Sequence, residues 1–191
     1  MAGMGQRLCR MSARGSVALE FAILAVPLVL LSLGTMEAGY DFFVQEALDN
    51  AVHVAARGVQ TGSTQGAPTG ANIAAWVAAD VCPALGGLLN CGGLYVSVTS
   101  VPSGTGQNYY TYISANPPNL VNITSNNDVV CTGTGAQLMI LRAYYLSPTF
   151  LGLLVPVWSQ ASPVNPSQRV HVSYAAVGFA NEYFSGGKTG C

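Results

Sequence analysis

The sequence predicts an α+β protein in which one long N-terminal helix packs on a small antiparallel sheet. Three observations carry that expectation. An apolar run occupies Ser16 to Met36, long enough to cross a membrane. Beyond Met36, with no breaker between, a polar and apolar pattern of helical period continues to Gly62. Later in the chain, Leu94–Thr99, Gln137–Tyr145 and Arg169–Val177 have strand character. A helix first and strands afterwards is the order of a fold in which helix and antiparallel sheet share one core.

Residues 1–15 contain Arg7, Arg10 and Arg14 and no acid, which marks a basic cytoplasmic leader. From Ser16 to Met36 a rise of about 1.5 Å per residue gives roughly 30 Å, the thickness of a hydrocarbon core. A secretory signal peptide has similar flanks, but the best substitute for an Ala-x-Ala site here is Ser32-Leu33-Gly34. Glu20 stands at the head of the run, with Phe21 after it. A carboxylate in a spanning helix is costly, about 2.5–3.5 kcal/mol for Asp at mid-helix on insertion scales, so Glu20 points to a partner or a processing role. Pro27 removes one helical hydrogen bond and is expected to bend the helix. The body then comprises residues 37–191.

Past the apolar run, Gln45, Glu46, Asp49, Asn50, His53, Arg57 and Gln60 share one side of a helical wheel. Val44, Ala47, Leu48, Ala51, Ala55 and Val59 share the other. The span is therefore expected to continue as one helix of about 45 residues, on the order of 65 Å. Glu37, Asp41, Glu46 and Asp49 follow the run, opposite in sign to the leader, which places the leader inside and the body outside. Thr69 to Cys82 reads as a second helix, ended by Pro83, Gly86 and Gly87. Leu94–Thr99 alternates as a half-buried strand, whereas Gln137–Tyr145 is too apolar to have a wet face. Between them, residues 102–134 form a polar excursion holding Tyr109, Tyr110 and Tyr112, expected to be an exposed insertion. Ser147-Pro148 is expected to open a short helix or turn through Leu154, and Arg169–Val177 to form the third strand.

Composition limits the functions available. Of 191 residues only 8% are charged, against about a quarter in an average domain, and the net charge is -1. Neither feature favours nucleic acid, and the sparse charge suits a surface covered by other subunits. Cys9 lies in the leader, leaving Cys82, Cys91, Cys131 and Cys191 in the body. Outside the inner membrane these four can form two disulfides in about three connectivities. Cys82 with Cys91 closes the smallest loop, leaving Cys131 and Cys191 as the remaining pair. There is no Cys-x-x-Cys pair, and His53 and His171 are the only imidazoles, so no metal site is expected. His53 lies between Asp49 and Arg57 in a ladder common on solvated helix faces. Ser147, Ser159 and Ser173 lie in no nucleophile motif, and no phosphate-binding loop follows a strand. The expectation is a protein that is not an enzyme and uses no cofactor.

The basic leader, Gly15-Ser16, Glu20 and Phe21 resemble the processing motif of bacterial type IV pilin-like proteins, particularly those of the Tad (tight adherence) pilus. More closely, Pro27, Glu37-Ala38-Gly39 and Ala56-Arg57 are similar to the continuation found in the TadE-like family. The tail Phe179-Ala180-Asn181-Glu182-Tyr183-Phe184 is similar to that family's Phe-Arg-Asn-Glu-Pro-Phe, differing at Ala180 and Tyr183. This resemblance implies a pilin-like fold and a pseudopilin or minor pilin. It implies cleavage by prepilin peptidase between Gly15 and Ser16, with Glu20 guiding docking or processing. The implied partners are other pilin-like subunits, the inner-membrane Tad machinery and membrane lipid, and the implied role is pilus assembly, adhesion or biofilm formation. The competing expectation is an anchored or secreted envelope adhesin that binds through its Tyr- and Asn-rich insertion. A mature protein beginning at Ser16 favours the first, and one beginning near Thr35 the second.

Overall fold

The computed structural model describes residues 5–62, 81–87, 89–101, 110–111, 114, 135–149, 151–152 and 159–183, with side chains described from Val17 onward. The expected body of the second helix, most of the 102–134 insertion, Cys131 and Cys191 lie outside those residues. The chain divides into two compact units, Met1–Tyr40 and Asp41–Cys191.

Helix α1 runs Gly5–Gln60 with Pro27 inside it. It begins in the leader rather than at Ser16, because nothing between Gly5 and Arg14 breaks a helix. In the first unit, the side chains of Val17, Leu19, Phe21, Ile23, Leu24, Val26 and Leu28 are all at least 60% exposed. Among the described residues of this unit, nothing buries this surface.

In the second unit the same helix becomes one-sided. Val44, Leu48, Ala51, Val52, Ala55, Ala56 and Val59 are buried, while Glu46, Asn50, His53 and Arg57 are exposed. The apolar side expected from periodicity is thus the side that enters the core, with Val52 and Ala56 widening it and Ala47 only partly buried. Each Val or Leu taken fully out of water contributes about 1.5–3 kcal/mol. The helix stops at Gln60; Thr61 N–H donates to the Arg57 carbonyl and Gly62 N–H to that of Val59. Gly62 has φ 71°, a left-handed conformation that glycine adopts without a Cβ clash and that commonly closes helices.

The sheet contains β1 (Leu94–Ser100), β2 (Leu138–Pro148), β3 (Gln160–Ala161) and β4 (Arg169–Ala180) in spatial order β1-β2-β4-β3. The three long strands are those expected from the sequence, and each pairs antiparallel with its neighbour. β2 is central and is buried on both faces, which accounts for its continuous apolar character: Met139, Ile140, Leu141, Ala143, Tyr144 and Tyr145 are all buried. Direct cross-strand partners share a face. Leu94, Tyr145 and Ser173 stand on the helix side, and Tyr95, Tyr144 and Tyr174 on the other. The Tyr144 and Tyr174 rings lie 4.9 Å apart.

The turn expected after the second strand is corrected. Ser147 and Pro148 do not open a helix or turn; they extend β2, opposite His171 and Val170. Leu138 carbonyl accepts from Val101 N–H, so even-numbered residues of β2 aim their main chain toward β1. That strand begins opposite Tyr145, so no described strand lies beside Pro148 on this side. Its missing N–H therefore costs no ladder bond. β3, only two residues long, is too short to leave a periodic signal.

Two 3-10 turns, Pro83–Leu85 and Cys91–Gly93, lead into β1. Val81 and Cys82, expected at the end of a second helix, form a turn before the first of them. Asn90 caps the second, its side-chain oxygen accepting from Gly92 N–H at 2.9 Å. Gly93 passes so close to β2 that a Cβ there would lie 2.8 Å from the Leu146 carbonyl oxygen. Gly93→Ala is therefore expected to destabilise the body by about 1–3 kcal/mol through overpacking against backbone. A denaturation midpoint equal to the parent's contradicts this.

Candidate processing and anchoring site

Gly15 and Ser16 lie within α1, and its next turn carries Glu20 and Phe21. Positions 16 and 20 are one helical turn apart, hence on the same face. Glu20 is exposed, and its neighbours Leu19 and Phe21 are 64% and 73% exposed. The helix thus places one acidic residue on an otherwise apolar surface at the head of the segment. Further along, Ser32 donates its hydroxyl to the Leu28 carbonyl at 2.9 Å and Thr35 to the Ser32 carbonyl at 2.9 Å. Hydroxyls returned to the helix's own backbone remove much of the penalty of placing them in lipid. The described part of α1 contains the one candidate membrane span among the described residues, judged by length and apolar composition.

In the second unit, contacts from α1 to β4 hold the helix against the sheet. Asp41 Oδ1 lies 3.5 Å from His171 Nδ1, within ion-pair range, though Nδ1 makes no hydrogen bond of good geometry. Gln45 donates from Nε2 to the Tyr174 carbonyl at 2.9 Å. At the other end of the helix, Glu182 N–H donates to the Gln60 carbonyl at 3.0 Å. Asn181 is buried, donates its N–H to Gln137 and accepts from Ala136, whose φ is 63°. The Asn181-Glu182 pair singled out in the tail therefore joins the end of the helix to the entry of β2. Sequence reading placed His171 in a strand but did not pair it with Asp41, because partners this distant leave no local spacing signal.

Cys82 and Cys91 are joined by a disulfide, with Cα atoms 5.9 Å apart. The bridge closes the segment containing Leu85 and Leu89, both buried in the core. Among the described residues no group of three or more His, Cys, Asp or Glu could hold a metal ion. His53 is exposed on the solvent side of α1.

These features define a class: an α+β body carried on a helix with an exposed apolar segment long enough to span a membrane. Its N-terminal part is similar to TadE-like proteins, whose family model matches residues 15–57. The match begins at Gly15 and ends at Arg57, covering the apolar segment and most of the amphipathic half of α1. No curated protein matches the chain, and no solved structure matches it either.

Proposed function

We propose that this protein is a pseudopilin or minor pilin of a Tad-type pilus, acting in pilus assembly, adhesion or biofilm formation. The observation that carries the reading is the TadE-like match from Gly15 to Arg57, laid over a helix with exposed apolar side chains and Glu20 near its head. In this reading residues 1–15 remain in the cytoplasm, the span crosses the inner membrane once, and the body lies in the periplasm. The arginines before the span and the acids after it support that orientation, as does a disulfide of the kind that persists in oxidising compartments.

Prepilin peptidase cleaves between Gly15 and Ser16, where glycine offers no side chain to obstruct the scissile bond. The mature subunit then works with other pilin-like subunits, the inner-membrane Tad machinery and lipid. It performs no catalysis of its own.

Gly15→Val is expected to leave full-length protein on a gel, heavier than the mature form by residues 1–15. Normal processing of that variant counts against the cleavage site.

A further inference from the structure

The turn between β3 and β4, residues 162–168, satisfies every main-chain donor it has from within. Ser162 N–H donates to the Gln168 carbonyl and Gln168 N–H to that of Asn165, both at 2.9 Å. Val164 and Asn165 each donate a main-chain N–H to the Ser162 hydroxyl oxygen at 3.3 Å, and Ser167 N–H donates to Asn165 Oδ1 at 3.3 Å. Pro163 and Pro166 have no N–H to satisfy. Residues 160–168 carry no charge, and the turn is exposed from Val164 to Gln168, with Val164 at 57%. In water a main-chain donor finds a partner anywhere. At a lipid boundary it does not, and only a turn closed in this way enters at low cost.

Contacts with α1 fix where the turn lies in the second unit. Asp41 meets His171 and Gln45 meets Tyr174 in the first half of β4, and Gln60 meets Glu182 beyond its end. α1 and β4 therefore run in the same direction. The turn precedes Arg169, so it lies at the end of the unit where α1 enters. That end also carries Phe42, 73% exposed, and Phe43, 45% exposed, after which the exposed side of α1 turns polar at Glu46, Asn50 and His53. From Ser16 to Phe42 the helix rises about 40 Å, the thickness of a bilayer with its headgroup layers.

Arg169, exposed beside the turn, donates from Nη1 to the Ser159 carbonyl at 3.2 Å. That is one of the five donors of a guanidinium, a group whose fork matches phosphate oxygens.

We propose that this end of the second unit is a lipid-contact surface: the 162–168 turn and Phe42 enter the headgroup boundary of the bilayer that α1 spans, and Arg169 pairs with lipid phosphate. Continuity identifies the occupant, because Phe42 belongs to the same helix as the candidate span. The turn points the same way: it offers a protein partner no main-chain N–H, whereas lipid asks for none. The inference rests on the reading of α1 as a membrane span and not on cleavage at Gly15.

The test uses the full-length protein in vesicles of phosphatidylethanolamine and phosphatidylglycerol, with photoreactive p-benzoylphenylalanine placed in turn at Val164, Phe42, Leu28 and Asn50. Irradiation followed by mass spectrometry measures lipid adducts. Val164 and Phe42 are expected to give adducts within about threefold of Leu28, which lies in the span, and Asn50 at least about tenfold fewer. Arg169→Gln is expected to lower the Val164 yield about fivefold, and Arg169→Lys, which keeps the charge, by less. If the probe at Val164 prevents folding, Ser167, exposed in the same turn, carries it with the same expected result. Adducts present at Leu28 but missing at the turn or at Phe42 overturn the proposal and leave the span standing; their absence at Leu28 overturns both. Crosslinks from the turn to a second copy of the chain in place of lipid overturn it as well.

Discussion

Glu20→Gln is expected to reach the membrane at the parent's level and to reduce pilus assembly at least about tenfold. The substitution keeps the side chain's shape and removes its charge. Glu20 sits on an exposed apolar surface that extends along α1. When such helices pack together, the surroundings of the carboxylate become dry and an unpaired charge becomes expensive. Cleavage at Gly15 would create a cationic amino group on Ser16, one helical turn from Glu20. That group, within a subunit or on its neighbour, is the natural partner. Loss of one member of a dry charge pair costs about 3–5 kcal/mol because the other is left alone, which is more than enough for a tenfold effect. Membrane insertion rests on the apolar run and is not expected to change. The check is a shear or surface-adhesion assay alongside an immunoblot of the membrane fraction. Parent-like assembly at normal protein level would reduce Glu20 to a tolerated boundary residue.

Breaking the Cys82–Cys91 bridge is expected to produce the larger stability effect in the body. With a sequence separation of 9, the crosslink restricts a small loop, and the chain-entropy treatment assigns such a loop about 2–3 kcal/mol. The surrounding packing adds to this expectation. Val81 precedes the bridge, Leu85 and Leu89 lie inside the loop, and all three are buried. Cys82 itself packs against the same core. A freed loop would let these apolar side chains leave the core more readily. Cys82→Ser with Cys91→Ser should therefore lower the denaturation midpoint, and reductant should lower the parent's midpoint to a similar value. Reductant should leave this region of the double variant unaffected. A double variant as stable as the oxidised parent contradicts the assignment.

The long-range architecture was legible where one physical pattern acts over many residues. The 3.6-residue period of Val44, Leu48, Ala51, Ala55 and Val59 identified the buried side of α1, and each of these residues is in the core. Strand character found β1, β2 and β4, and the expectation that β2 has no wet face agrees with the burial of Ile140 and Tyr144 on one face and Met139, Leu141, Ala143 and Tyr145 on the other. Smaller or context-dependent features were hidden. β3 has two residues and is held by pairing with Arg169 and Val170, not by its own pattern. Ser147-Pro148 resembled the start of a turn, because proline normally interrupts pairing; extension is harmless here because β1 begins only opposite Tyr145. The Asp41–His171 contact and the Glu182 bond to Gln60 join residues far apart in the chain and have no counterpart in local spacing. Gly15, Glu20 and Phe21 stood out for a different reason: a glycine, a carboxylate and an aromatic at one short spacing resemble a known motif, and the family match begins at that glycine.

The most direct test of the pilin-like reading is the N-terminal residue of the wild-type protein isolated from membranes, read by mass spectrometry of its first peptide. The account predicts a mature chain beginning at Ser16, with residues 1–15 removed and the whole apolar segment retained. A chain beginning near Thr35, with that segment lost, would contradict it.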